Sequence, residues 1–175
     1  MTPHVNTVYV KRVRAGRALS SRTVERRASK ILALLDVRGA ELSIVLCDDA
    51  FIRALNRDYR GLDRSTDVLS FSQGDGVEGG STSAVLGDVV ISLETAARQA
   101  RARRQGLVDE ATALLVHGVL HLVGYDHEGS RGAKVMFARA AFLEKEIKKP
   151  RSLLTAVNKS FKKAPQSLLK NPKCE

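Results

Sequence analysis

A chain of 175 residues with 43% hydrophobic content is long enough for one compact domain with a sizeable core, and with 5% aromatics and no tryptophan that core must be aliphatic. No run of about 18 apolar residues occurs, so no transmembrane helix is expected, and the opening MTPHVNTVYVKR lacks the apolar stretch of a secretory signal, so a cytoplasmic location is expected. The net charge is +10, with eight Lys or Arg against one Glu in residues 1–30 and again in residues 148–175. A smaller basic cluster falls at Arg98, Arg101, Arg103 and Arg104. Such ends suit a phosphate backbone, a merely solvated basic surface or, for the tail, an acidic membrane surface. Cys47 and Cys174 lie too far apart in sequence to form a metal or redox motif.

The chain then divides as follows. Residues 5–10 alternate as a strand. Ser20 and Ser21 offer capping hydroxyls to a helix reaching residue 35, with Val24, Ala28, Ile31, Leu32 and Leu35 on one face and Gly39 closing the region. Residues 42–47 (LSIVLC) are almost continuously apolar, which marks a central strand. Asp48 and Asp49 cap a short helix over 50–59, broken at Arg60-Gly61. A strand is expected at 67–72, a mobile Gly/Ser loop at 72–83 and another strand at 86–92. Ser92 caps a helix running to Arg104 and ended by Gly106. A buried helix over 109–122 and a last helix over 132–148, stopped by Pro150, complete the domain. The expectation is one α/β or α+β domain over residues 1–148, with a mostly four-stranded mixed sheet packed by five or six helices. Residues 149–175 read as a basic, flexible tail.

Three of the four histidines fall in LLVHGVLHLVGYDHE, at His117, His121 and His127. On a helix His117 and His121 share a face, with Cβ atoms about 6 Å apart. A continuing helix would carry His127 to about 280° from His117; Gly124 can instead take a positive φ, end the helix and return His127 to the other two. Three neutral imidazoles on one cation, with a further position open to water, are the donor set of a catalytic zinc ion. The spacing H-x-x-x-H-x-x-G-x-x-H is that of metzincin peptidases, but their general base follows the first histidine directly, and that place is Gly118 here. Asp67, Asp88 and Asp126 are the candidates to hold a histidine ring from behind, each equally able to serve a structural turn. Arg60 could bind a phosphate or simply pair with a carboxylate.

HGVLHLVGYDHE also resembles HGxLHLxGYDH, the signature of the YbeY family of bacterial endoribonucleases, or rRNA maturation factors. LNRDYRGLDRSTDVLSF, residues 55–71, is similar to a second family block, LNxxYRxxDxxTDVLSF, and Leu86-Gly87-Asp88 with Ile91-Ser92 to a third, LGDIxIS. The resemblance covers about residues 40–147 and departs at Ser65 and Ser72, where the family usually has proline. It implies a single α/β domain with one zinc ion on His117, His121 and His127. It implies cleavage of single-stranded RNA, with the 16S rRNA precursor and the small ribosomal subunit and its proteins as partners, in 16S rRNA 3′-end maturation and ribosome quality control. Arg60 matches a family arginine near the metal, so Arg60, His117 and His121 are the residues expected to carry catalysis. Two other readings compete: a zinc peptidase-like hydrolase, disfavoured by Gly118, and a ribosome assembly factor whose zinc is purely structural.

Overall fold

The computed structural model describes residues 5–16, 18–73, 84–125 and 130–149. Its elements in chain order are β1 (Thr7–Val13), α1 (Ser21–Leu34), β2 (Ala40–Cys47), α2 (Asp49–Arg60), β3 (Val68–Ser72), β4 (Ala84–Ser92), α3 (Leu93–Ala102), α4 (Leu107–Leu122) and α5 (Ser130–Lys148). The four strands form one mixed sheet in the order β1-β2-β4-β3. β1, β2 and β4 run parallel, and β3 is antiparallel to β4 at one edge. This is the single α/β domain with a four-stranded mixed sheet that the sequence leads one to expect, and β2 is central to it.

Side-chain alternation along the strands assigns each helix to a face. Leu42, Ile44 and Leu46 of β2 and Val89 and Ile91 of β4 pack with Ile31 and Leu32 of α1 and Leu115, Val116, Val119 and Leu120 of α4 in the main core. Cys47, Val45, Val90 and Leu69 point the other way and are covered by Ile52, Phe51 and Leu55 of α2. Each fully buried aliphatic side chain here contributes about 1.5–3 kcal/mol of burial. Cys47 is sealed in the smaller cluster, and burial, reinforced by Asp48 and Asp49, pushes its thiol pKa up to about 12.

Two helix starts follow the expected capping. The Asp48 carboxylate accepts from Phe51 N at 2.8 Å, and Ser92 Oγ accepts from Thr95 N at 3.2 Å. Several details differ from expectation. Ser20 is the N-cap of α1 but makes no side-chain cap, and the neighbouring Ser21 Oγ accepts from Arg12 Nε at 3.0 Å. β1 continues to Val13, since its parallel partner β2 offers register as far as Cys47. Gly106 does not end α3 but stands as the N-cap of α4; α3 stops at Ala102, with Arg104 taking φ 54° in its closing turn. The expected mobile loop lies, beyond Gln73, outside the described residues, as does the basic tail beyond Lys149.

Candidate metal centre

Helix α4 is apolar on almost every side, and ten of its sixteen residues are buried. Near its start the fully buried Glu110 pairs with the Arg103 guanidinium, Nη1 to Oε1 at 2.8 Å, and accepts a hydrogen bond from Gln105 Nε2. Near its end, Gly118 lets the helix backbone lie directly on the sheet. A Cβ there would stand 2.7 Å from Val89 Cγ1 and 3.1 Å from Ser70 Oγ. Ser70 Oγ donates to Gly118 O at 3.3 Å, tying edge strand β3 to the helix. Gly118 was legible only as a missing general base; its packing role is the usual reason for a glycine inside a helix, where it otherwise costs about 1 kcal/mol. The same contact removes the peptidase arrangement, since a glutamate at this position would have to enter the space held by Val89.

His117 and His121 flank this contact and are both half-buried. Their Nε2 atoms face one another at 3.1 Å, with ring centroids 4.7 Å apart and planes crossed at 77°. Two imidazole nitrogens on a tetrahedral zinc, at about 2.0–2.1 Å each, stand about 3.3 Å apart. The pair thus fits a shared cation with little movement, provided both Nε2 atoms are deprotonated. Just beyond, Gly124 takes φ 88°. Its N–H donates to His121 O at 3.0 Å, and Tyr125 N donates to Leu120 O at 2.9 Å. This is a Schellman ending, and it turns the chain off the helix axis where the sequence requires it.

His127 and Asp126 lie outside the described residues. Among the described residues, no third His, Cys, Asp or Glu joins the pair in a metal-holding group. Asp67 accepts from Val68 N at 2.8 Å, Thr66 Oγ1 at 3.2 Å and Gln99 Nε2 at 2.9 Å. Asp88 accepts from Gln73 Nε2 at 2.5 Å. Those bonds are to other groups, and none joins either aspartate to His117 or His121. Arg60 is the exposed last residue of α2, followed by Gly61 at φ 68°; no described contact joins it to the histidines. The turn after it is braced by Asn56 Nδ2, which donates to Arg64 O at 2.8 Å, and by a bidentate Arg53–Asp63 pair, both bonds 2.8 Å.

The chain is an α/β domain with a converged histidine pair on its main packing helix. The family model described as Endoribonuclease YbeY matches residues 11–148, and the chain belongs to that family. A protein of that description from Syntrophotalea carbinolica is 39% identical over 143 residues, covering 81% of this chain and 95% of that one. Another, from Pelotomaculum thermopropionicum, is 54% identical over 99 residues, covering 55% of this chain. The match spans less than two thirds of that relative's length, 65%. The solution structure of TM1509 from Thermotoga maritima shares the fold, with a TM-score of 0.59 and 24% identity over 81% of this chain and 89% of that one.

Proposed function

We propose that the chain is a zinc-dependent endoribonuclease that cuts single-stranded RNA, acting in the cytoplasm in 3′-end maturation of 16S rRNA and in ribosome quality control. Its proposed partners are the 16S rRNA precursor and the small ribosomal subunit with its proteins. Family membership supports the nuclease reading. The observation that carries the metal is the convergence of His117 Nε2 and His121 Nε2 at 3.1 Å.

His117 and His121 would hold the ion through Nε2, with His127 as the proposed third ligand. When bound, zinc supplies Lewis acidity toward a phosphoryl oxygen or a water molecule. The chain's own groups do the rest. Arg60 would clamp the phosphate and balance charge as it builds at phosphorus. The basic termini would hold the flanking backbone, so binding should weaken steeply with salt. Gly118 keeps helix α4 seated, and so keeps the two rings aimed at one point.

The direct test is cleavage of a labelled single-stranded RNA with and without a chelator. The proposal requires cleavage to stop on chelation and return with added zinc. Cleavage indifferent to the chelator would remove the metal from the reaction. A chain that binds zinc but cuts no RNA would favour the assembly factor with structural zinc.

A further inference from the structure

Tyr59, near the end of α2, is the most exposed aromatic side chain among the described residues, 69% exposed. It is nevertheless held in place. Its ring stands edge-on to Phe71, with centroids 5.0 Å apart and planes at 62°, and Phe71 is itself partly buried in the smaller core cluster. Leu62, 42% exposed, extends the apolar surface. The turn carrying Leu62 is pinned by the buried Asn56 through Arg64 O. The exposed side chains of Arg57, Arg60 and Arg64 surround this patch in sequence. A braced aromatic face beside guanidinium groups is chemistry that receives a nucleobase on the ring and phosphates on the arginines.

The patch is also placed relative to the histidines. Phe71 lies on β3, which pairs only with β4 and forms the sheet edge. The preceding residue, Ser70, points to the opposite face and bonds Gly118 O, between the two histidines in sequence. One edge strand, β3, therefore separates the aromatic face from the helix that carries His117 and His121.

From this we propose that Tyr59 is a base-stacking platform that positions single-stranded RNA, an inference that rests on the RNA-cleaving function proposed above. Stacking on an aromatic ring is tolerant of base identity, so Tyr59 confers preference for unpaired RNA rather than for a particular sequence.

The chain has no tryptophan, so Tyr59→Trp introduces a single tryptophan, selectively excited above the tyrosines, at the platform. It should be quenched by 2′-O-methyl oligoadenylate and not by an abasic oligonucleotide of the same length and charge. Tyr59→Leu should weaken oligoadenylate binding about 5- to 150-fold, the range of one lost base stack, with abasic and zinc binding unchanged. Equal quenching by both oligonucleotides, or none from either, overturns the platform, as does oligoadenylate binding to Tyr59→Leu at the wild-type constant. Should Tyr59→Leu fail to fold, the tryptophan variant decides alone. Wild-type cleavage of RNA alongside a negative result at Tyr59 leaves the nuclease standing and removes only the platform. A wild-type chain that neither binds nor cleaves RNA removes both.

Discussion

Gly118 and Val89 meet where helix α4 crosses strand β4, with room for a hydrogen at Gly118 but not for a methyl group, which would sit 2.7 Å from Val89 Cγ1. Val89 is fully buried and β-branched, so its χ1 is restricted and its side chain has little room to yield. Gly118→Ala would gain about 1 kcal/mol of helix propensity. Against that stands overpacking of about 1–3 kcal/mol, with a further loss as the Ser70 bond to Gly118 O lengthens. The net effect should be a melting temperature several degrees lower, together with weaker zinc binding because both histidines ride on the displaced helix. Calorimetry and a zinc titration check this; a rise in melting temperature would show that the sheet yields easily.

Arg60 tests the chemistry apart from the fold. It is exposed, and none of the described contacts depends on it. Arg60→Glu should therefore keep its folding stability within about 0.5 kcal/mol of wild type, as for an ordinary surface change, and keep zinc binding. It should lose at least tenfold in the rate of single-stranded RNA cleavage, because one phosphate partner becomes a repulsive charge. An unaffected rate would end its proposed role.

Asp49 gives a pH signature at the carboxyl ends of β2 and β4. Burial alone would raise its pKa, but bonds from Ser92 Oγ at 2.5 Å and Thr95 Oγ1 at 2.7 Å, with the Arg98 guanidinium 2.7 Å away, outweigh it and hold the carboxyl below its ordinary value. A depressed folded pKa means stability that is fully present above the ordinary carboxylate value, about 3.9, and is lost as pH falls through the folded value. Asp49→Asn should be destabilised by about 1–3 kcal/mol at neutral pH. Its deficit relative to wild type should shrink as pH drops below about 4. Urea melts at pH 7 and pH 3 measure this; a deficit equal at both would mean that the charge is irrelevant.

The fold was legible wherever one local signal sufficed. Residues 42–47 are apolar on both faces because β2 is covered by α1 and α4 on one side and α2 on the other. Asp48 and Ser92 cap helices as their side chains suggest, and the histidine spacing places His117 and His121 together. Features that depend on distant partners were not legible. Ser21 Oγ accepts from Arg12, a residue of β1, and the tightness at Gly118 exists only because Val89 and Ser70 face it. Asp67 and Asp88 looked equivalent in sequence, yet Gln99 and Gln73 determine where each carboxylate points. The third histidine, His127, falls beyond the described turn at Gly124.

Zinc stoichiometry and RNA cleavage measured together in a His121→Ala variant test the proposed metal dependence most directly. Removing one of two nitrogens that converge at 3.1 Å should abolish tight zinc binding, leave a folded chain by circular dichroism and reduce cleavage of single-stranded RNA to background. A variant that releases its zinc yet cuts RNA at the wild-type rate would contradict a metal-dependent reaction at this pair, and one that retains a full equivalent of zinc would place the ion elsewhere.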